Sequence, residues 1–131
     1  MAVYTKFQPF VENLAEGVHN LGTGALTVAP NATDATLSQI TQISYTNCSS
    51  RVITTSSSSQ TTGTYSLVLT DLTLTATGGT VGPFRYVVIY NDTPTSPADP
   101  LIAYYDYGSS ITLADTETFL IDFGSSLFTL A

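Results

Sequence analysis

The chain has 131 residues, of which only 10% are charged, and its formal net charge is −7. Soluble domains usually carry about 25% charged residues, and three basic side chains are too few to form the cationic surface that nucleic acids and anionic membranes attract. We therefore expect no nucleic-acid partner and no membrane partner.

The composition predicts a single folded domain built mainly from β-strands. Hydrophobic residues make up 43% of the chain, which is too many for a disordered protein. Cys48 is the single cysteine, so no intrachain disulfide can form. Serine and threonine are abundant and favour strands and turns over helices. We predict one domain over residues 1–131.

Residues 1–22 are predicted to form an N-terminal arm and a short amphipathic helix. Pro9 suits the first helical turn, and Gly22 is placed to end the helix. The apolar face of this helix either closes one end of its own domain or contacts another subunit. Its apolar residues recur at steps of three and four and share one side of the helix: Phe7, Phe10, Val11, Leu14, Val18 and Leu21.

Residues 23–131 are predicted to form a β-sandwich of short strands separated by turns. The predicted strands are Gly24–Ala29, Arg51–Thr55, Thr64–Leu74, Phe84–Asn91, Leu101–Tyr107, Glu117–Phe123 and Leu127–Leu130. The serine-rich segment 56–63 and the Gly-Ser-Ser at 108–110 are predicted as turns, and Ala35–Tyr45 fits either a short helical turn or an irregular strand. Because no helices alternate with these strands, we predict an all-β, antiparallel β-sandwich or jelly-roll-like fold.

The stretch GPFRYVVIYND at residues 82–92 carries one of the three basic residues, Arg85, in an apolar and aromatic run. Both faces of this strand are apolar, which is typical of a strand in the middle of a sheet. Burying an unpaired guanidinium would cost several kcal/mol. We therefore predict an ion pair between Arg85 and a carboxylate on an adjacent strand, Asp106 or Asp122, or else exposure of Arg85 at a subunit interface.

The sequence shows no arrangement of residues that predicts an enzyme, a cofactor site or a metal site. His19 is the single histidine, and no nucleophile elbow, phosphate-binding glycine loop or Cys/His cluster is present. Asp115 and Glu117 fit a turn that enters a strand. A carbohydrate-acting enzyme using Asp106, Asp115 or Glu117 is one alternative, but it would have very few titratable groups to work with. We predict no catalytic, cofactor-binding or metal-ligating residues.

Several segments together resemble a known protein family. They are YTKFQPFVENLAEGVHNL, LTVA, SSSSQTTGTYSLVLTDLTLTATGGTVGPFRYVVIYNDT, DPLIAYYDYGSSITL and ETFLIDF. Over nearly the whole chain they resemble small virion proteins of tailed bacteriophages, in particular the head decoration, or cement, proteins. The resemblance implies a β-rich module on the outer capsid surface, commonly a homotrimer at local threefold positions, that binds the major capsid protein and clamps neighbouring capsomers.

The resemblance implies a role for the N-terminal helix and a location for the protein. Phe7, Phe10, Val11, Leu14 and Val18 become candidate assembly contacts. Because the N-terminus shows no secretory signal pattern, we expect synthesis in the host cytoplasm followed by assembly on the virion. The alternative is a tail, neck or fibre component of such a virion, including a receptor-binding module, if an aromatic loop at YYDYG (104–108) stacks on sugars.

Overall fold

The structure is a computed structural model that describes residues 2–8, 23–27 and 33–130. This part of the chain is mainly β, as predicted. It contains β1 (Val3–Lys6), β2 (Thr23–Thr27), β3 (Thr55–Thr61), β4 (Thr64–Leu69), β5 (Leu72–Thr75), β6 (Val81–Tyr90), β7 (Leu101–Leu113), β8 (Thr118–Ile121) and β9 (Phe128–Leu130). A 3-10 turn covers Leu37–Gln39, so the helical of the two predictions for Ala35–Tyr45 holds at these three residues. The helix predicted over the N-terminal segment falls mostly on residues 9–22, outside the described residues.

The strands form three antiparallel sheets. The largest has the order β1-β7-β6-β2, the second β3-β4-β9, and the third consists of β5 and β8. Strands β6 and β7 therefore occupy the two inner positions of the largest sheet.

Strand β6 is buried on both faces, as its apolar sequence predicts. Val87, Val88 and Ile89 are successive residues and are 0%, 0% and 1% exposed. Because successive side chains in a strand point to opposite faces, protein covers both sides of the sheet here. The neighbouring strand β7 begins in the same way, since Leu101–Ala103 is also fully buried.

A bulge in β7 replaces the turn predicted at residues 108–110. Tyr86 pairs with Asp106 and Phe84 pairs with Ile111, so two steps along β6 correspond to five steps along β7. Gly108 lies in this insertion with a φ of +81°, a conformation that glycine adopts without strain. The prediction of a turn is wrong because a glycine of this kind bends a strand through a bulge without ending it.

The serine-rich segment predicted as a turn is largely strand β3. Thr55–Thr61 pairs with Thr64–Leu69, and only Thr62 and Gly63 form the turn, with φ values of +49° and +84°. Two consecutive residues with positive φ are typical of the two-residue turns that connect the strands of a β-hairpin. The prediction failed because this strand is an exposed sheet edge and needs no apolar face. Of the strand predicted over Arg51–Thr55, only Thr55 lies in a strand.

One predicted strand is divided, and one strand of the structure was not predicted. The strand predicted over Thr64–Leu74 is divided at Asp71, whose Oδ1 accepts a hydrogen bond from the Phe123 N–H at 2.9 Å. Strand β1 was not predicted, because four residues with mixed polarity carry too short a pattern. It pairs with β7 from Val3 opposite Asp106 to Lys6 opposite Ala103.

One hydrophobic core joins the three sheets. It contains Leu67 of β4, Leu74 of β5 and Val88 of β6 among its buried residues. Aromatic contacts connect the largest sheet to the smallest: the Phe84 and Phe119 ring centroids lie 5.3 Å apart with the rings nearly perpendicular. Such edge-to-face pairs stabilise a core beyond the area they bury.

Two glycines with positive φ should respond differently to alanine. At Gly82 (φ +119°) an added Cβ would lie 2.7 Å from the Ile111 carbonyl oxygen, whereas at Gly63 it would meet nothing within 4 Å. We expect Gly63→Ala to lower the free energy of unfolding by about 1 kcal/mol through its backbone conformation alone. Gly82→Ala should lower it considerably more, because the β6 and β7 backbones must also separate. Urea unfolding of both variants checks this, and equal losses would contradict it.

Candidate functional site

Arg85 and Asp106 form a two-point ion pair between β6 and β7. Arg85 Nε donates to Asp106 Oδ1 at 2.7 Å, and Arg85 Nη2 donates to Oδ2 at 2.9 Å. Parallel N–H bonds of this kind fix geometry as well as adding energy. Of the two carboxylates predicted as partners, the structure places Asp106 against Arg85, and the pair joins the two inner strands beside the β7 bulge.

The pair is partly exposed, and its electrostatics favour both charged forms. The side chains are 41% and 27% exposed. The hydrogen bond to Asp106 raises the pKa of Arg85. The hydrogen bond from Arg85, followed by that from the Gly108 N–H, lowers the pKa of Asp106 below its ordinary value of 3.8. The Arg85 Cζ also lies 5.2 Å from the centre of the Tyr86 ring, within cation–π distance.

Asp122, the other predicted partner, lies elsewhere. It follows β8, and its Oδ1 accepts a hydrogen bond from the Gly124 N–H at 2.7 Å. Burial raises the pKa of Tyr105 and of Tyr107, and the Asp122 carboxylate adds to both shifts. Asp122 therefore acts on the aromatic residues in the middle of β7 and not on Arg85.

The remaining carboxylates considered in the sequence serve a turn. Asp115 Oδ1 accepts the Gly78 N–H at 2.8 Å, and Glu117 Oε2 accepts the Ala114 N–H at 2.7 Å. Both bonds are exposed and hold the entry to β8. This arrangement fits the turn that the sequence predicts before a strand.

The candidate assembly residues are only partly described. Phe7 is fully buried, its N–H donates to the Ile102 carbonyl at 3.1 Å, and its ring centroid lies 5.0 Å from that of Tyr104. Phe7 therefore packs into the chain's own core and is not a free surface contact. The other four, Phe10, Val11, Leu14 and Val18, lie outside the described residues.

An open cleft of about 330 Å³ lies between the middle of β7 and the end of β8, and we call it the tyrosine cleft. Its lining residues are Ala2, Tyr105, Tyr107, Leu120 and Asp122–Gly124. Tyr105 is only 9% exposed, whereas Leu120 is among the most exposed hydrophobic residues described. The cleft thus combines apolar walls, phenol groups and one carboxylate.

Aromatic contacts hold the tyrosines of the cleft in place. The Tyr107 ring packs 5.0 Å from that of Phe119, and the Tyr105 ring lies 5.8 Å from that of Tyr4 and 6.3 Å from that of Phe123. Burial raises the pKa of Tyr105 to about 12, with further contributions from neighbouring tyrosines and then from Asp122 and Asp71. The phenols are therefore neutral at ordinary pH and lie in a negative field.

The sequence pattern does not predict this cleft. The expectation of an aromatic loop at YYDYG is wrong, because these residues lie inside β7. Tyr104 packs between two other rings: its centroid is 5.0 Å from that of Phe7 and 5.8 Å from that of Tyr86. The two-residue period of a strand does place Tyr105 and Tyr107 on one face. The strand period could therefore have identified Tyr105 and Tyr107 as neighbours. Leu120 and Asp122 come close to these tyrosines only when the chain folds, so no local pattern predicts their place in the cleft.

Among residues 2–8, 23–27 and 33–130 no three histidine, cysteine or acidic side chains come together as a metal site. Over the same ranges, no helix has both the length and the apolar character needed to cross a membrane. Comparisons of the chain with protein-family models, curated proteins and solved structures each returned no match.

The lowered pKa of Asp106 predicts how the ion pair contributes to stability as pH changes. A depressed carboxyl pKa stabilises the fold above the unfolded-state pKa, and this contribution is lost as pH falls through the folded-state pKa. We expect Arg85→Met to be less stable than the parent at pH 7, with the difference shrinking as pH falls below the ordinary aspartate value of 3.8 towards the lower folded-state pKa of Asp106.

Thermal unfolding of the parent and Arg85→Met between pH 7 and pH 3 measures this difference. Lys6→Met is the matched control, since it removes an exposed cation from β1 that donates to no described carboxylate. A difference for Arg85→Met that persists unchanged at pH 3 would contradict the prediction.

Proposed function

We propose that this protein is a structural virion protein of a tailed bacteriophage, a decoration or cement protein that binds the outer capsid surface and stabilises contacts between capsomers. Its partners are then the major capsid protein and further copies of itself as a homotrimer. The proposal rests on the resemblance of the sequence segments, and on one structural observation: the way in which the chain uses its charges.

The observation that carries the proposal is that the described acidic side chains mostly hold the fold together. Asp71, Asp106, Asp115, Glu117 and Asp122 each accept a hydrogen bond from a backbone N–H. Such bonds stabilise turns and strand ends by satisfying donors that would otherwise lack partners. Carboxylates used in this way support a binding or structural protein better than an enzyme.

The surface supports assembly through many weak contacts. Apolar side chains are exposed on or beside short strands and edges: Val3, Val52, Leu120 and Leu130. Low charge density reduces repulsion between neighbouring molecules. When several copies bind one lattice, effective concentration converts modest individual contacts into durable attachment.

We further propose that the three sheets pack as a jelly-roll-like β-sandwich. The support is the single core to which all three sheets contribute, together with the burial of both faces of β6. A domain of this kind presents its loops and edge strands outward, where a trimer and a capsid surface can contact it.

A tail, neck or fibre component is the second candidate, and the tyrosine cleft is the observation that favours it. A receptor-binding module needs a cleft with aromatic walls and polar groups, and this cleft has both. The support for sugar stacking is weaker than the sequence implied, because Tyr104 and Tyr105 are packed against other rings inside β7.

Copy number distinguishes the two candidates. We expect purified particles to carry hundreds of copies of this protein, because a decoration protein occupies positions repeated over the whole capsid. Quantitative mass spectrometry of the ratio to the major capsid protein measures this. A few copies or a few tens of copies per particle would contradict the decoration role and support the tail or neck candidate.

The predicted apolar face of the N-terminal helix can be tested separately. Deleting residues 1–20 would also remove β1 and Phe7, which belong to the described fold, so substitutions are the cleaner experiment. We expect Val11→Ser with Leu14→Ser to abolish co-sedimentation with capsids at unchanged Tm, since these side chains would contact the partner.

Glu16→Ser with Asn20→Ser, on the opposite face by the same periodicity, is the matched control and should bind normally. A fall in Tm of several degrees with the Val11 and Leu14 pair would indicate that the helix closes its own domain instead, since lost core packing lowers stability.

A further inference from the structure

The tyrosine cleft repeats the chemistry with which the protein holds its own arginines. Arg85 is bound by the Asp106 carboxylate and lies beside the Tyr86 ring. Arg51 lies over the Tyr45 ring, with its Cζ 3.6 Å from the ring centre. In both cases a guanidinium is matched with a tyrosine, and for Arg85 a carboxylate completes the set.

The cleft presents the same two groups without a cation among its described lining residues. Tyr107 and Asp122 both line it, and none of those residues is a lysine or an arginine. One oxygen of Asp122 accepts the Gly124 N–H, and the second, Oδ2, accepts no hydrogen bond from the described residues. The exposed carboxylate therefore has a free acceptor in an open cleft with apolar walls.

Tyr105 adds an independent observation. Its side chain is about nine-tenths buried and lines the cleft, and within the described part of the chain its hydroxyl has no hydrogen-bond partner. The hydroxyl oxygen is not itself among the buried polar atoms that lack a partner, so it stays accessible from the cleft. A phenolic hydroxyl can accept as well as donate, so the cleft offers an acceptor at Tyr105 besides the Asp122 carboxylate, and a ligand with several donors can use both.

A guanidinium fits this description better than other biological groups. It carries five N–H donors and no acceptor, it is planar, and it stacks on aromatic rings. The negative field that Asp122 and Asp71 impose on Tyr105 attracts a cation, as does the net charge of −7. A lysine ammonium satisfies the charge but lacks the planar, forked geometry.

We propose that the tyrosine cleft binds the guanidinium of an arginine side chain displayed by a partner protein. The Asp122 carboxylate and the Tyr105 hydroxyl accept its N–H groups, and the aromatic wall that includes Tyr107 packs against its plane. This assignment goes beyond the proposed function, because it names the chemistry of one contact and holds for any partner that presents such a side chain.

The test uses the full chain and a small probe. N-acetyl-arginine amide is titrated into the ¹⁵N-labelled protein, with N-acetyl-citrulline amide as the neutral isostere. We expect saturable shifts at the amides of Tyr105, Tyr107 and residues 122–124 with the arginine probe only, weakening as salt is raised. Asp122→Asn should weaken binding about tenfold, since one charge-assisted hydrogen bond is lost.

The side-chain amide oxygen introduced by Asp122→Asn can still accept the Gly124 N–H, so this variant should keep the fold. Asp92→Asn is the matched control, because it removes an equal charge from an exposed position outside the cleft, and it should bind as the parent does. Equal binding of the citrulline probe, equal weakening by both variants, or saturable binding of glucose without binding of arginine would each overturn the proposal. Absence of any saturable shift would overturn it too.

Discussion

The fold depends on covering both faces of the two inner strands of the largest sheet. Val87, Val88 and Ile89 alternate between opposite faces and are all buried. Each fully buried aliphatic side chain contributes about 1.5–3 kcal/mol relative to an exposed one, so uncovering either face would cost much of a domain's net stability. The other elements are arranged around this need: β5 and β8 reach the sheet through Phe119, and the N-terminal residues reach it through Phe7.

The few charged side chains of the described residues stabilise the structure locally. The Arg85–Asp106 pair joins β6 to β7 where the register changes, and four other described acidic side chains bind backbone N–H groups. Because the pair is partly exposed, solvent screens it, and its main effect is on alignment. A one-residue slip of β6 would exchange its two faces, and the paired side chains oppose such a slip.

The sequence predicted the β class, the strands around β6, β7 and β8, and the two possible partners of Arg85. These features follow from local patterns: apolar runs, turn residues and the cost of an unpaired cation. The extent of β3 could not be predicted, because its serines and threonines gain stability only from pairing with β4, a contact that composition does not reveal. The tyrosine cleft forms where the residues of β8 pack against β7. The period of two in YYDYG predicts only the contribution of β7, Tyr105 and Tyr107.

The Thr62–Gly63 turn also has a practical consequence. It lies at the tip of an exposed hairpin whose edge strand contributes no buried side chain among those described, and the space around Gly63 is open. Loop tips of this kind accept inserted sequence more readily than any other position. A short epitope or a fluorophore attachment site placed there would make the protein traceable, while the core, the ion pair and the tyrosine cleft keep their native residues.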